Sequence, residues 1–529
     1  MSLAEQHEWF RRATSRRALL RGGAIGAGAA IAGPALLAGP ASAATTAATR
    51  RTPALVTRGD WAPGSYLPPF GKHIAFGADP TSQMSVAWQT AGPVANPFIR
   101  VGDSPANLSH QIGAEVRSLA TPASVWNSST AEPVDSVTPS LASATIEQYY
   151  VHAQLSGLRP GTTYYYSLGH EGWDHGDVSG HFTTAPRGRV PFTFTAFGDQ
   201  GVTYDAVGNT NLIRAQNPAF HLHAGDVSYA ESGGSGLLTD AYDPRIWDQF
   251  FNEIEPAAGH IPWQVVVGNH EMEAWYSPEG YGGQFARFDF PGENSSGAAP
   301  AYYSFTYGNV GIIALDANDV SYELPANFGY SGGAQVSWLT STLASLRANP
   351  EIDFIVVYFH HCAYCTCTTH GCDGGVEKYF VPAFDTYQVD LVINGHNHIY
   401  ERTDPLRGGA VIGSGAPIGS TVHPKTDGTT YITAGGAGKS LYSFSTSDSY
   451  EGNIDTSTAP VATYINEYDP TTKVTSTTNE NVTWSRVRYT GYCLLVIESD
   501  PRSWSHGGTL RVRGLDEAGQ ELDRIDLVR

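Results

Sequence analysis

The sequence predicts an α/β fold preceded by an all-β sandwich, and three observations carry that expectation. Residues 69–187 read as all-β, with period-two alternation at Met84–Thr90 and turn residues between runs, whereas from 188 onward short β-branched and aromatic runs are interleaved with helical spacing. Most of the later runs end on Gly-Asp, Gly-Asn or Gly-His, which places polar side chains at the carboxyl ends of neighbouring strands, where they converge on one crevice. At 529 residues the chain can form two or three domains and bury large cores.

The first element is a targeting segment over residues 1–43. Ser15-Arg16-Arg17-Ala18-Leu19-Leu20 carries a twin arginine, a Gly/Ala-rich apolar stretch follows from Gly22 to Gly39, and Ala41-Ser42-Ala43 offers small residues for cleavage. Pro34 and the many glycines make that stretch a weak spanning helix. A cleaved twin-arginine signal is therefore expected, with a secreted or extracytoplasmic product that keeps no stable membrane anchor. Residues 44–68 read as a linker. Within 69–187, Met84–Thr90 alternates cleanly, and Tyr149–Leu155 and Thr163–Leu168 flank the turn signal Gly157-Leu158-Arg159-Pro160-Gly161. The order of leucine, Pro-Gly and tyrosine resembles the tyrosine corner of fibronectin type III sandwiches.

The second domain is expected over 188–529, including its C-terminal strands. Phe192–Phe197 is a buried strand running into Gly198-Asp199, Val207–Gln216 a helix, and Phe220–Ala224 a strand ending at Gly225-Asp226. Trp263–Val267 feeds Gly268-Asn269, and Val310–Asp316 follows a hairpin from Tyr302. Helical spacing of Val336, Leu339, Leu343 and Leu346 spans Gln335–Arg347. Asp353–Phe359 leads to His360, Val389–Ile393 to Gly395-His396, and Thr429–Ala434 closes the series. Asp448–Thr483 is Thr/Ser/Asn-rich and reads as a loop excursion. Val487–Glu498, Thr509–Gly514 and Glu521–Leu527 read as strands, the last two joined by a turn at Glu517–Gln520. The run Gly435-Gly436-Ala437-Gly438-Lys439-Ser440 ends like a phosphate-binding Walker loop, but Thr433 stands where the first glycine is required.

Charged residues make up only 16% of the chain, so it reads as globular and loop-rich. A net charge of −20 argues against nucleic acid or an anionic membrane as partner. It also means that any anionic substrate would be repelled at long range and must be attracted by local positive charge. Cys362, Cys365, Cys367 and Cys372 crowd into one loop, with Cys493 far away; export favours disulfides there over a zinc site, and five leaves one thiol over.

Seven strand-end residues carry the chemistry: Asp199, Asp226, Tyr229, Asn269, His360, His396 and His398. Singly, each is an ordinary cap, turn or core residue. As an ordered set of carboxylates, imidazoles, an amide oxygen and a phenol they are too many for one ion and suit two sharing a bridging carboxylate. The glycines before them suit turns that need positive φ or close backbone approach.

This set resembles the metallophosphoesterase superfamily and, within it, the purple acid phosphatases. The resemblance runs from the front domain to about Gly514. It implies a four-layer α/β/β/α sandwich. It further implies that Asp199, Tyr229 and His398 bind one metal and Asn269, His360 and His396 the other, with Asp226 bridging. Broad-family members carry His two positions after the first aspartate; here Gly201 stands there, and Tyr229 occupies the place of the purple enzymes' phenolate. A phenolate is a hard anionic donor suited to Fe(III), paired with divalent Fe, Zn or Mn. His270 is the first candidate to protonate the leaving alkoxide. His370 lies ten positions after His360, where the purple enzymes also carry an acid or phosphate-contacting histidine, although Thr369-His370 departs from their histidine pair. Glu271 is expected to steer His270 or a ligand. The function implied is a secreted acid phosphatase acting on small phosphate monoesters. The alternatives are a phosphodiesterase on the same site and a non-enzymatic surface adhesion protein; seven competent ligand positions weigh against the latter.

Overall fold

The computed structural model describes residues 67–123, 126–127, 132–133, 144–235, 242–273, 281–291, 302–501 and 507–529. The signal at 1–43 and all but the last two residues of the linker at 44–68 lie outside the described residues. No helix among the described residues is long and apolar enough to cross a membrane.

The front of the chain forms two four-stranded sheets. One pairs Phe70–Phe76, Met84–Thr90, Ala144–Leu155 and Glu115–Ala123; the other pairs Gly180–Thr183, Thr163–Gly169, Phe98–Gly102 and His110–Gly113. Ile74, Val86, Trp88, Ile99, Val151, Tyr166 and Phe182 fill the space between them. The anticipated corner forms at Tyr164, whose hydroxyl accepts the Arg159 N–H at 2.9 Å.

Behind it two larger sheets stack. The first runs Trp263–Val265, His221–His223, Phe192–Phe197, Cys493–Asp500, Thr509–Asp516, Glu521–Val528 and Ser420–Val422. The second runs Tyr303–Tyr307, Val310–Ala314, Phe354–Phe359, Leu391–Asn394, Thr430–Ala434, Tyr400–Thr403, Ser485–Tyr489 and Ile454–Asp455. Strand periodicity sorts the side chains of this sheet. Ile312, Ala314, Val356 and Tyr358 face the first sheet, whereas Ile313, Ile355, Val357 and Phe359 meet Leu339, Leu343, Phe380 and Phe384 of the outer helices. Both faces are apolar because both are covered, which is why these strands read as continuous hydrophobic runs. With Tyr204–Gln216 packed on the first sheet, the order is helix, sheet, sheet, helix, the four layers expected.

Three features depart from the sequence reading. Asp448–Thr483 is not a loop: Val461–Asp469 and Val474–Val482 form a nine-pair antiparallel hairpin whose inner strand pairs with Cys372–Asp373. Val474–Val482 is exposed at eight of nine positions, so it has no alternation to read; its Thr-rich composition suits a strand only once a partner satisfies the backbone. Val487–Glu498 is two strands in different sheets, broken at Gly491, where a Cβ would lie 2.4 Å from the Tyr489 ring. The helix Arg245–Ala258 was not anticipated, although Trp247, Phe250, Phe251, Ile254 and Ala257 recur at helical spacing along its buried face. The expected cross-link in the 362–372 loop is absent as well. All five cysteines are free and buried: the Cys362 and Cys365 thiols hydrogen-bond each other without a covalent link, Cys362 Sγ also reaches Gly395 O at 3.2 Å, and Cys372 Sγ reaches Cys365 O at 3.2 Å.

The front sandwich docks through buried polar groups centred on Asp289. His152 Nδ1 lies 2.6 Å and an Arg117 amine 2.8 Å from its carboxylate, and the Ser85 hydroxyl donates to it. Burial alone would raise this carboxyl, but His152 and Arg117 outweigh it and hold Asp289 well below the usual carboxylate range. A depressed folded value contributes stability above the unfolded carboxylate range, roughly pH 4, and that contribution is lost as pH falls below it. Asp289→Ala takes the carboxylate from buried His152 and leaves Arg117 with Glu115 as its remaining carboxylate partner, and it is expected to cost about 3–5 kcal/mol at neutral pH, read as a lowered thermal midpoint.

Candidate metal centre

All seven sequence-selected residues come together at the strand ends, in two groups. Tyr229 Oη lies 3.0 Å from Asp199 Oδ1 and 2.8 Å from His398 Nε2, which is itself 3.4 Å from Asp199 Oδ1. In the other group His360 Nε2 lies 3.1 Å from Asp226 Oδ2, 3.0 Å from Asn269 Oδ1 and 3.2 Å from His396 Nδ1. Asp199 Oδ1 and His360 Nε2, at 4.0 Å, join the two.

The backbone is strained to aim them. Asp199, Asp226, Tyr229 and His396 have φ of 65°, 50°, 58° and 68°, a region non-glycine residues rarely enter. Positive φ thus falls on the ligand candidates, while Gly268 and Gly395 serve close approach. A Cβ at Gly268 would sit 2.1 Å from Asp226 Oδ1, and one at Gly395 2.5 Å from Asp199 Oδ2. At Gly201 a Cβ would stand 3.5 Å from the Tyr229 ring, so the phenol fills the space beside the missing side chain.

Outer partners decide which atoms face inward. His360 Nδ1 donates to Ala224 O at 2.9 Å and His398 Nδ1 to Ser440 O at 2.7 Å, leaving both Nε2 lone pairs inside. His396 is held the other way, with Nε2 on Glu323 Oε2 at 2.8 Å and Nδ1 inside. Asn269 Nδ2 donates to Gly234 O at 3.1 Å, which turns its amide oxygen inward. With those outer bonds made, His360 Nε2, Asn269 Oδ1, His396 Nδ1 and Asp226 Oδ2 converge as acceptors, an arrangement that a positive charge, metal ion or proton, satisfies. Without a metal, a proton on His360 answers the same demand. Burial would lower the His360 imidazole, yet Asp226 and Asp199 outweigh it and push it up to about 10. Burial, Asp199 and Asp226 drive the Tyr229 phenol well above its ordinary value, so only a strong Lewis acid would ionise it. The donor set fits a pair of metal ions.

His270 stands at the rim. Its Nδ1 donates to Glu231 O at 2.6 Å, its Nε2 lies 3.8 Å from Asp226 Oδ2, and its ring is 4.4 Å from that of Tyr229. Glu271 holds the backbone instead of a histidine: it accepts from Asp226 N, Val227 N and Gly268 N at 2.7–2.8 Å. His370 packs its ring 4.1 Å from His396 and sets Nδ1 2.5 Å from Glu323 Oε1. Burial would lower the His370 imidazole, but Glu323 outweighs it and raises it. Glu323, which grips His370 and His396 together, was missed; it sits in a loop after Asp319 with no strand-end or glycine signal. Tyr442, stacked on His398 at 4.1 Å, was missed as well.

Comparison with known proteins agrees with this geometry. The family model of the purple acid phosphatase N-terminal domain matches residues 69–184, and that of the calcineurin-like phosphoesterases matches 192–400. An uncharacterized protein of Mycobacterium tuberculosis is 34% identical over 406 residues, 71% of this chain and 71% of its own. Purple acid phosphatase 18 of Arabidopsis thaliana is 28% identical over 351 residues, 66% of this chain and 69% of its own. A purple acid phosphatase from yellow lupin seeds shares the fold, with a TM-score of 0.61 at 20% identity over 88% of this chain and 75% of that one. With front sandwich and stacked sheets both accounted for, the chain belongs to the purple acid phosphatase-like metallophosphoesterases.

Proposed function

We propose that this chain is a secreted acid phosphatase that hydrolyses small phosphate monoesters at a dinuclear centre, with 188–529 as the catalytic domain and 69–187 as its docked front domain. The observation that carries it is the ring of inward-facing acceptors at Asp226, Asn269, His360 and His396. Asp199, Tyr229 and His398 would hold Fe(III), and Asn269, His360 and His396 a divalent Fe, Zn or Mn, with Asp226 shared between them. When bound, the pair supplies positive charge that draws in the phosphate and acidifies the attacking water. The remaining chemistry belongs to side chains. His270 keeps Nδ1–H on Glu231 O, so its Nε2 is the nitrogen that delivers a proton to the leaving oxygen. His370, held by Glu323, offers Nε2 as a phosphate donor.

Nitrophenyl phosphate assayed against its bis-ester, with metal analysis of the same sample, tests this reading; faster turnover of the diester would make the protein a phosphodiesterase. Iron-loaded protein is expected to show a broad visible band from the Tyr229 phenolate. Tyr229→Phe should bleach it and leave the fold intact, since one hydroxyl is a small packing change. A mutant that keeps its colour would make Tyr229 a core residue only.

A further inference from the structure

The glycine run that ends like a nucleotide-binding loop has no room for a phosphate. A Cβ at Gly435 would stand 2.2 Å from Asn397 O and 2.8 Å from Asp199 Oδ2, and one at Gly438 2.5 Å from Gln200 O. Its backbone is engaged by the protein: Ala437 N–H donates to Gly198 O at 3.2 Å, while Gly438 O accepts from Thr203 Oγ1 at 2.7 Å and Ala437 O from Asn209 Nδ2 at 2.9 Å.

What the run does is deliver Lys439. The Lys439 N–H donates to Asp199 O at 3.1 Å, which ties its backbone to a candidate ligand. Its ammonium lies 4.1 Å from the centroid of the Tyr229 ring, the ring that His270 also meets at 4.4 Å. This places a cation beside both the first metal group and the candidate acid. The side chain is half-buried, and among the described residues its ammonium forms no ion pair with a carboxylate. A ring face is a weak and non-directional partner that leaves the three N–H donors open. In a chain of net charge −20, an unpaired ammonium at the mouth of a site that handles phosphate has an anion to meet.

We propose that Lys439 contacts the non-bridging oxygens of the substrate phosphoryl group and thereby selects dianionic monoesters over monoanionic diesters, an inference that rests on the phosphatase reading above. A monoester loses its second proton near pH ~6, so at neutral pH it carries the extra charge that a diester lacks. The cation then discriminates by charge without entering the metal coordination.

The test compares wild type with Lys439→Met and Lys439→Arg, metal-loaded, at pH 7. Calorimetry gives the affinity for inorganic phosphate, and kinetics the constants for nitrophenyl phosphate and its bis-ester. Lys439→Met is expected to weaken phosphate binding and raise the monoester KM about tenfold, with kcat and the diester KM changed far less, and Lys439→Arg to restore most of the loss. Unchanged phosphate affinity in Lys439→Met overturns the proposal. So does an equal loss on both esters, or a loss of metal or of the visible band, which would make the lysine a cover for Tyr229. If the wild type itself fails to hydrolyse the monoester, the phosphatase reading falls, while the calorimetric comparison still decides on Lys439.

Discussion

Asp226→Ala is expected to abolish turnover, lowering kcat/KM by more than about 10³-fold, beyond the 10–100-fold in affinity or activity that loss of an outer partner produces at a metal site. The carboxylate does three things at once. Oδ2 faces His360 Nε2 at 3.1 Å, Oδ1 accepts the His270 N–H at 2.9 Å, and the residue sits at φ 50° in the turn that meets Gly268. Alanine removes the proposed bridge and leaves His360, Asn269 and His396 with no anion between them, so both metals should be lost on dialysis. Asp226→Asn keeps the shape and the His270 contact but not the charge. Elemental analysis beside kinetics separates the two effects. Full metal content in Asp226→Ala would mean that the carboxylate is not shared.

His270→Ala is expected to lower kcat about 10²–10⁴-fold on a monoester with a poor leaving group while metal content stays intact. The reason is orientation: Glu231 O takes the Nδ1 proton at 2.6 Å, so the site meets Nε2, 3.8 Å from Asp226 Oδ2. The effect should shrink with nitrophenyl phosphate, whose leaving group needs no proton. Comparing an alkyl with a nitrophenyl ester reads this difference directly. Wild-type kcat on the alkyl ester would remove His270 as the acid and leave His370 as the candidate.

Much of this was legible because strand-end chemistry is written locally. Phe192–Phe197, His221–His223, Trp263–Val265, Phe354–Phe359 and Leu391–Asn394 are short buried strands that lead to a candidate ligand, and the pattern survives wherever both faces of a sheet are buried. The hairpin over 461–482 was not legible, since a strand polar on both faces carries no periodicity. Glu323 and Lys439 were opaque for another reason. One lies in a loop without a motif and the other in a glycine run that mimics a different fold, and only folding shows that the first clasps His370 and His396 while the second crosses Tyr229.

By itself the sequence determined the two-part architecture, the identity of the ligand candidates and the pairing of Gly201 with Tyr229, because residue type and strand-end spacing are properties of short segments. Tertiary structure alone decided which atom each ligand turns inward, which strand joins which sheet and what surrounds the site. Those depend on partners distant along the chain, such as Ala224 O for His360 and Ser440 O for His398. A hydrogen bond of that range leaves no trace in local composition, since a backbone carbonyl is the same acceptor whatever side chain it carries.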